Sequence, residues 1–333
     1  MTIDVCYFQR RPGRGHSIER LFGGIREELP ANIAHRVWYA PYARLTTYCI
    51  ARNVFQARHH QADINHVTGD AYYVGLGLDR SRTVLSIHDL VSLNSLSMLK
   101  RAIVYILWYY LPVRHAAIIT VGSEATRTEL TNMFPWCADK VRVIHDCLPC
   151  PYMPQPVRPM PGTPRVLHVG TAPHKNIERL AEALSGIPCQ LHVVGVLRAA
   201  QRKALDEHGV DYVALEHLSD AEMAEEYTAA DIVAFASTYE GFGLPIIEAQ
   251  AMGRPVVTSD VPPMNEVAGD GACLVNPHDT ASIRRGLLRV IEDETYRMEL
   301  RRRGIENVQN FTAPHIARQY AELYEEIAGA SPR

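Results

Sequence analysis

Two glutamates, Glu240 and Glu248, flank a glycine-rich segment that carries the strongest chemical signal of the sequence, S-T-Y-E-G-F-G-L-P-I-I-E-A-Q-A-M-G-R-P-V-V. An apolar run precedes it and predicts a buried strand. Gly241 and Gly243 permit positive φ or a close backbone approach to a ligand. Pro245 suits the first turn of a helix, where its missing N–H is not needed. The segment therefore predicts a strand, a glycine loop and a helix.

This helix would present its N-terminus at the loop, and a helix N-terminus attracts phosphate. It offers free N–H groups and the positive end of the helix dipole. Glu240 and Glu248 would be repelled by a diphosphate, so we expect them to bind uncharged groups, for which sugar hydroxyls are the obvious candidates. The pattern indicates a ligand that combines phosphate with sugar.

Alternating apolar strands and helices surround the segment and predict an α/β protein with parallel, doubly wound sheets. The predicted strands are Ile3–Phe8, Ile64–Val67, Thr83–Ile87, Ala117–Val121 and Lys140–Ile144, followed by Arg165–Gly170, Gln190–Gly195, Tyr212–Ala214, Ile232–Phe235 and Pro255–Thr258. The predicted helices include Ser17–Leu29, 123–130, Leu287–Val290, Tyr296–Val308 and Ala313–Ile327.

A length of 333 residues suggests two domains. The seven prolines within 147–164 predict a stiff linker that is not packed. We expect a first domain over 1–150, the linker over 151–164 and a second domain over 165–312. The helix at 313–330 is expected to cross back to the first domain, and the ligand is expected in a cleft between the two.

Composition is ordinary for a soluble globular protein, with 47% hydrophobic and 21% charged residues. Charge is uneven, because residues 1–150 hold 17 Lys/Arg against 12 Asp/Glu and residues 151–333 hold 17 against 25. A basic first half suits an anionic acceptor or a lipid surface. A charge distribution on the surface that has no function explains the difference between the two halves equally well.

The seven cysteines are scattered, and Cys147 and Cys150 form the lone C-x-x-C. The sequence offers no second pair for a zinc site, and the chain runs into prolines where a redox motif would need a helix. We therefore expect reduced thiols of a cytosolic protein. The N-terminus lacks the pattern of a signal peptide.

The most apolar stretch, 102–113, is too short to span a bilayer. Basic residues flank it, and it contains Trp108, Tyr109 and Tyr110. A buried helix is the favoured interpretation. A helix that touches a membrane surface is the alternative.

Residues 240–257 resemble the donor-site signature of retaining glycosyltransferases of family 4, which have the two-domain GT-B fold. The resemblance extends over nearly the whole chain. Segments 168–184, 218–237 and 265–279 resemble stretches of the family's second domain, and segments 83–90 and 121–130 resemble its first domain more weakly.

This resemblance implies roles for residues around the glycine loop. Glu248 would bind the donor ribose, and Glu240 would contact the donor sugar near the reacting carbon. The backbone of 241–244 would hold the diphosphate and the sugar. The implied donor-binding residues besides Glu248 are Gly241, Phe242, Gly243, Leu244, Thr171, His174 and Leu218.

The resemblance also implies a cation for the diphosphate, and Lys175 matches it. Thr171 stands where the family often has arginine. His174 precedes Lys175, and a neutral histidine gives less charge stabilisation.

In the first domain, His88 matches the histidine that approaches the donor sugar, and a structural histidine is its alternative. His66 is similarly placed, with both interpretations open. Gly13, Gly15 and His16 match a loop that approaches the acceptor, although a lone G-x-G is a weak signal.

The resemblance implies a retaining glycosyltransferase that moves a sugar from a nucleoside-diphosphate sugar to a glycan or lipid-linked hydroxyl, in synthesis of bacterial cell-surface polysaccharide or glycolipid. We expect no metal and no other cofactor, since no D-x-D pair follows a strand. We expect no nucleic-acid partner. The expected location is cytoplasmic, with peripheral membrane contact through the basic domain. Alternatives are an inactive partner subunit or a sugar-nucleotide epimerase of the same architecture.

Overall fold

The computed structural model describes residues 2–11, 17–44, 46–69, 71–90, 104–148 and 152–330. The chain forms two compact units. The N-terminal unit comprises Met1–Pro149 together with Thr312–Arg333, and the C-terminal unit comprises Cys150–Phe311. Each unit contains a six-stranded parallel sheet. Gly13, Gly15, His16 and Cys150 lie outside the described residues.

The sheet of the N-terminal unit has the strand order β2-β1-β3-β4-β5-β6. Its strands are β1 (Ile3–Gln9), β2 (Ile33–Tyr39), β3 (Ile64–Val67), β4 (Thr83–Ile87), β5 (Ile118–Val121) and β6 (Val141–Val143). Its helices are α1 (Ser17–Glu27), α2 (Thr47–Ala57), α3 (Leu111–His115), α4 (Glu124–Met133) and α12 (Ala313–Ala330). Shorter 3-10 helices cover Arg58–His60, Tyr72–Gly77, Arg80–Arg82 and Pro135–Lys140.

The edge strand β2 was missed by the sequence analysis. Its residues I-A-H-R-V-W-Y are mostly exposed or half-buried. An edge strand with one neighbour does not need the continuous apolar run of a central parallel strand. The sequence therefore gives it a weaker signal than β1, which is almost entirely buried.

The last helix, α12, packs on the N-terminal unit. Its Ile316, Tyr320 and Tyr324 are buried in one cluster with Val5 and Phe22. The apolar stripe of this helix thus has its partner in the core beside β1 and α1.

A hydrogen-bonded network runs through this core. His66 bonds through Nδ1 to the Tyr324 hydroxyl at 2.7 Å and through Nε2 to Ser86 Oγ at 2.7 Å. The Tyr324 hydroxyl also lies 2.9 Å from the Tyr7 hydroxyl. Burial lowers the pKa of His66 to about 3. His66 is therefore a neutral structural residue, which decides between its two interpretations.

The apolar stretch that begins at 102 is described from residue 104 onward. Tyr105–Tyr110 forms a π-helical turn that continues into α3. Tyr109 is buried, and Trp108 packs against the core cluster beside Tyr73. The favoured interpretation, a buried helix, fits these residues, and membrane contact stays a prediction.

The sheet of the C-terminal unit has the order β12-β11-β10-β7-β8-β9. Its strands are β7 (Arg165–Val169), β8 (Gln190–Val194), β9 (Asp211–Leu215), β10 (Ile232–Phe235), β11 (Val256–Ser259) and β12 (Ala272–Val275). Its helices are α5 (Ile177–Leu184), α6 (Ala199–Glu207), α7 (Asp220–Ala229), α8 (Leu244–Ala251), α9 (Met264–Ala268), α10 (Thr280–Glu292) and α11 (Glu294–Asn307). Its 3-10 helices are Pro173–Lys175, Gly269–Gly271 and Val308–Phe311.

The described part of the proline-rich segment is mostly exposed, but it makes hydrogen bonds to the C-terminal unit; its role as a linker stays a prediction. The Gln155 N–H donates to Met252 O at 3.0 Å, and Arg301 donates to Gln155 O at 2.8 Å. Arg158 pairs with Asp231 at 3.1 Å. Proline stiffens the chain, but it leaves carbonyls and neighbouring side chains free to bind a surface.

The six cysteines in the described ranges are free thiols. Burial raises the pKa of Cys147 to about 12, so this thiol is unreactive. Within the part of the chain that the structure describes, no helix combines the length and apolar character needed to cross a bilayer.

Candidate functional site

The candidate site lies where the strand order of the C-terminal sheet reverses. From β7 the chain proceeds to β8 and β9 on one side, and from β10 to β11 and β12 on the other. In open parallel sheets, ligands bind at the carboxyl ends of the strands at such a reversal. The loops that follow β7 and β10 therefore occupy the expected ligand position.

The loop after β7 directs Lys175 toward this reversal. Gly170 has φ +96°. A Cβ built on Gly170 would lie 2.7 Å from Cε of Lys175, so the lysine side chain passes where any other residue would have a methyl group. Glycine at this position both permits the turn and makes room for Lys175.

Asn176 joins the loops that follow β7 and β10. It has left-handed backbone geometry at φ 65°, which asparagine tolerates better than most residues. Its buried amide donates to Ala236 O at 2.9 Å and to Pro277 O at 2.8 Å. The Thr238 N–H donates to His174 O at 2.8 Å. These bonds hold the two loops in register.

The two loops bring Lys175 and Glu240 together. Lys175 Nζ lies 2.7 Å from Glu240 Oε1, and the side chains are 14% and 12% exposed. Lys175 Nζ also lies 4.4 Å from the ring centroid of Phe235, a cation–π distance. An ammonium and a carboxylate thus share one half-buried position at the sheet edge.

Helix α8 begins at Leu244, four residues after Glu240, and the sequence predicted a helix here. Gly243 at φ +111° precedes its first residue, and Pro245 lies in its first turn. Phe242 is buried against Phe311, with ring centroids 5.8 Å apart. Because that side chain points into the unit, only the backbone of Phe242 can serve a ligand. The positive end of the α8 dipole lies beside the loop.

Glu248 is the fifth residue of α8 and is half-buried. Its Oε2 accepts a hydrogen bond of 2.6 Å from the hydroxyl of Tyr227. Tyr227 belongs to α7 and is 0% exposed, so its hydroxyl is held rigidly. One oxygen of Glu248 is thereby fixed by the protein.

Thr171 and His174 lie in the same loop as Lys175. The Thr171 side chain packs over Gly195 at the end of β8, and its carbonyl accepts from Gln201 Nε2 at 3.0 Å. Both Thr171 and His174 are half-buried. Neither side chain supplies the permanent positive charge of an arginine. Leu218 lies at the carboxyl end of β9, two strands from β7, and its donor contact stays a prediction.

Comparison with known proteins finds glycosyltransferases. Residues 155–311 match the sequence model of the glycosyl transferases group 1. These residues, just under half of the chain, are therefore similar to a group 1 glycosyltransferase domain. O-antigen chain mannosyltransferase B from Escherichia coli is 27% identical over 233 residues, which make up 63% of this chain and 61% of that protein. The chain thus spans less than two thirds of this relative's length.

Solved structures show the fold of the whole chain. Anabaena HepE, solved in complex with UDP and glucose, aligns with a TM-score of 0.77 at 18% identity, over 97% of this chain and 100% of that one. Sucrose-phosphate synthase from Thermosynechococcus elongatus aligns with a TM-score of 0.77 at 21% identity, over 99% and 100% of the two chains. The predicted GT-B fold is confirmed.

The C-terminal unit contains two site features that the sequence analysis missed, Asn176 and Tyr227. A third is His168, whose Nδ1 donates to Ala234 O at 2.9 Å and so links β7 to β10. Burial lowers the pKa of His168 to about 4, so it is neutral. A lysine–asparagine pair after a glycine turn was the available signal for Asn176. No sequence signal pointed to Tyr227, because its partner Glu248 lies 21 residues away.

In the N-terminal unit, His88 directly follows β4. Its Nδ1 lies 3.4 Å from Asp146 Oδ1, and both side chains are largely buried. Its ring meets Phe22 edge-on at 5.8 Å. Asp146, at the end of the β6 region, was not singled out from the sequence. An approach of His88 to the donor sugar stays a prediction.

Proposed function

We propose that this protein is a retaining, metal-independent glycosyltransferase of family 4 that uses a nucleoside-diphosphate sugar. The observation that carries the proposal is the Lys175–Glu240 pair beside the N-terminus of α8, at the strand-order reversal of the group 1 domain. A cation, a helix dipole and two carboxylates in one place suit a ligand that has both a diphosphate and hydroxyls.

Each part of the donor has a matching group in this arrangement. Lys175 and the backbone at the start of α8 bind the diphosphate. Glu248 accepts hydrogen bonds from the ribose hydroxyls, with Tyr227 holding the carboxylate in place. Glu240 accepts from a hydroxyl of the donor sugar once Lys175 has turned to the phosphate.

Transfer forms one bond and breaks one. The acceptor oxygen bonds to the anomeric carbon on the face from which the diphosphate leaves, and the bond from that carbon to the phosphate oxygen breaks. The hydroxyl proton passes to the leaving phosphate. Negative charge grows on the diphosphate in this step, and Lys175 and the α8 dipole stabilise it more in the transition state than in the ground state.

Lys175 supplies the positive charge that a metal ion provides in other nucleotide-sugar enzymes. We therefore expect transfer to continue in EDTA. Product formation is compared in wild-type protein with EDTA, with EDTA followed by excess Mg²⁺, and with no addition. Equal rates support a metal-independent reaction, whereas loss in EDTA that Mg²⁺ restores contradicts it.

The acceptor is proposed to be a glycan or lipid-linked sugar in bacterial cell-surface polysaccharide synthesis, on the cytoplasmic side where nucleotide sugars are made. The name of the Escherichia coli relative, an O-antigen chain mannosyltransferase, supports this class and favours a hexose. The UDP complex of the Anabaena neighbour supports a nucleoside diphosphate in the donor.

A transfer assay tests the proposed function. UDP-, GDP-, dTDP- and ADP-sugars are offered with a panel of glycan and lipid-linked acceptors, and proton NMR reads the anomeric configuration of the product. We expect one donor to yield product with the donor's own configuration. A product of opposite configuration contradicts retention, and isomerised donor without acceptor indicates an epimerase.

An inactive partner subunit is the second candidate. His174 lies beside Lys175, at a position where a second cation would bind the diphosphate more tightly. Glu240 already neutralises the charge of Lys175. Nucleotide-sugar binding without turnover over the whole acceptor panel would favour this candidate.

A further inference from the structure

A cavity lined by arginines lies at one edge of the C-terminal sheet. Asp231 directly precedes β10, and Arg254 lies two residues before β11. Both line the cavity, together with three further arginines, Arg158, Arg297 and Arg301. Because the neighbouring strands β7, β10 and β11 are parallel, their amino ends share one edge of the sheet and their carboxyl ends share the other. The cavity is therefore at the opposite edge from the loops that carry Lys175 and Glu240.

The cavity has the size of a small anion. Its volume is about 40 Å³, and by the same measure one water molecule needs roughly 10–15 Å³. A phosphate group fits such a space, whereas a sugar ring or a nucleoside does not. A wider cleft of about 500 Å³ adjoins the cavity and shares Arg158 and Asp231 with it. The remainder of a larger phosphorylated molecule therefore has space beside the cavity.

Part of each guanidinium group has a structural role. Arg254 donates through Nε to Tyr227 O at 3.1 Å and through Nη2 to Thr228 O at 2.7 Å. Arg158 donates through Nη2 to Ala230 O at 3.0 Å. These carbonyls lie at the end of α7, where the negative end of the helix dipole favours cations. The helix end thus accounts for some of the arginine donors.

The remaining donors of these arginines have no use in the protein. Within the part of the chain that the structure describes, Nη1 of Arg254 and Nη1 of Arg158 have no hydrogen-bond partner. Arg301 uses Nη2 alone, for Gln155 O, and Arg297 uses Nη1 alone, for carbonyls at the end of α10. Arg254 is only 6% exposed. A buried N–H without a partner is costly, so these donors indicate a ligand that accepts hydrogen bonds.

The positive charge of the lining is mostly uncompensated. Among the described residues that line the cavity, Asp231 alone is acidic, against four arginines. Both of its oxygens are in use, Oδ1 by Arg158 at 3.1 Å and Oδ2 by the Arg165 backbone N–H at 2.8 Å. Burial, and after it the charge of Arg158, lower the pKa of Arg254 to about 10, so Arg254 is still charged at neutral pH. A multivalent anion would relieve the repulsion among these arginines.

Gly253 gives Arg301 its place beside Arg254. It has φ +66°, and a Cβ built on it would lie 3.1 Å from Nε of Arg301. The Arg301 guanidinium therefore lies over backbone that only glycine leaves open. The turn that follows α8 thus holds two guanidinium groups close together.

We propose that this cavity is a second anion site, which binds a phosphate group through Arg158, Arg254, Arg297 and Arg301. Guanidinium groups bind phosphate through paired N–H donors, and a phosphate group carries up to two negative charges and several acceptor oxygens. A carboxylate would neutralise less of the charge. The phosphate group belongs to a free phosphorylated compound or to a lipid headgroup. The site uses no side chain assigned to the donor and is independent of the proposed function.

Calorimetric titration with inorganic phosphate tests the site, with acetate at equal ionic strength as the comparison anion. Every protein carries Lys175→Ala, which removes the cation of the proposed donor site. The proteins are this parent, Arg301→Gln, Arg254→Gln and the control Arg302→Gln. Arg302 lies on the same helix as Arg301, α11, at an exposed position where it pairs with Glu299. The control therefore removes the same charge outside the cavity.

We expect phosphate to bind the parent and the control equally and acetate to bind neither. Arg301→Gln and Arg254→Gln should each bind phosphate about tenfold more weakly, since each loses charged hydrogen bonds to it. Melting temperatures without ligand are measured for all four proteins. Arg254→Gln also loses its bonds to α7, so Arg301→Gln decides the outcome if Arg254→Gln does not fold.

Sedimentation with vesicles distinguishes the two sources of the phosphate group. The vesicles contain phosphatidylcholine with or without phosphatidic acid. Sedimentation that requires phosphatidic acid and is lost in Arg301→Gln supports the site and identifies a lipid headgroup. Binding of inorganic phosphate without sedimentation supports the site and identifies a free phosphorylated compound.

Several results would overturn the phosphate site. These are the absence of phosphate binding by the parent, equal binding by Arg301→Gln and the parent, equal weakening in Arg301→Gln and Arg302→Gln, or acetate binding as tight as that of phosphate. The last two would show an effect of overall charge alone. Failure of this site leaves the proposed function untouched, because nucleotide-sugar binding is measured separately and involves other side chains.

Discussion

At the scale of single residues, Lys175 and Glu240 have separate proposed roles toward a donor and yet bind one another at 2.7 Å. A bound diphosphate offers Lys175 more negative charge than one carboxylate does. The lysine can then turn to the phosphate, and Glu240 is released to accept from a sugar hydroxyl. The pair keeps both charges compensated in a half-buried position, where a lone charge would be costly.

Glu240→Gln tests this exchange. The amide keeps the shape of the side chain but accepts more weakly from a hydroxyl beside the reacting carbon. Turnover should fall on the order of a hundredfold, as it does when one preorganised polar contact to a transition state is removed. Glu207→Gln is the control, because Glu207 pairs with Lys203 at an exposed position on α6. Steady-state rates equal to wild type in Glu240→Gln would remove Glu240 from the mechanism.

Tyr227→Phe tests how Glu248 is positioned. Without the 2.6 Å hydrogen bond the carboxylate loses its fixed orientation. The affinity for the nucleoside diphosphate should fall about tenfold, and further in Glu248→Ala, since a hydrogen bond to a charged group is worth roughly 1.5–3 kcal/mol. Calorimetry measures both, with Tyr212→Phe as control. Unchanged affinity in Tyr227→Phe would show that the tyrosine does not act through Glu248.

At the scale of elements, the loop after β7 depends on Gly170 for its conformation and for the path of Lys175. Gly170 and Gly186 both have positive φ, +96° and +70°. A Cβ at Gly170 meets Lys175, whereas a Cβ at Gly186 meets nothing within 4 Å. Alanine substitutions at the two glycines therefore distinguish the effect of backbone strain from the effect of displacing Lys175.

Gly170→Ala and Gly186→Ala form a matched pair. Each should lower stability by about 1–2 kcal/mol through left-handed strain. Only Gly170→Ala should also weaken binding of the nucleoside diphosphate, because it pushes Lys175 aside. Thermal unfolding and calorimetry on both variants separate the two effects. Equal binding by the two variants would contradict the role given to the loop.

The sequence predicted the elements that carry strong local signals. The strand β10, the glycine loop and α8 follow from a buried apolar run, two glycines and a proline. The edge strands β2 and β12 were missed. Strand β2 is mostly exposed or half-buried and lacks a continuous apolar run, whereas β12 is a short apolar run of four residues. The pairing of Lys175 with Glu240 was also out of reach, because a contact over 65 residues depends on how the strands are ordered.

At the scale of the whole molecule, α12 ties the end of the chain to the first strands of the N-terminal unit. Its Tyr324 hydroxyl bonds to both Tyr7 and His66 inside the core. The sequence showed an apolar stripe that needs a partner. It did not show these polar contacts, because they join residues 317 and 258 positions apart.

Tyr324→Phe should destabilise the N-terminal unit by about 1–3 kcal/mol, because the buried Tyr7 hydroxyl and the His66 imidazole lose their hydrogen bonds to Tyr324. Hydrogen exchange should rise in β1, β3 and α12 and stay unchanged in the C-terminal unit. Tyr48→Phe is the control, because Tyr48 is exposed. Exchange that rises equally in both units would contradict a local role for this contact.

Calorimetric titration with nucleotide sugars tests the central claim most directly. UDP-, GDP-, dTDP- and ADP-sugars are titrated in EDTA into wild type, Lys175→Ala and Glu248→Ala. The account predicts that one of them binds wild type with one site per chain and that each variant binds it at least about tenfold more weakly. The claim is contradicted if no nucleotide sugar binds, or if one binds all three proteins equally.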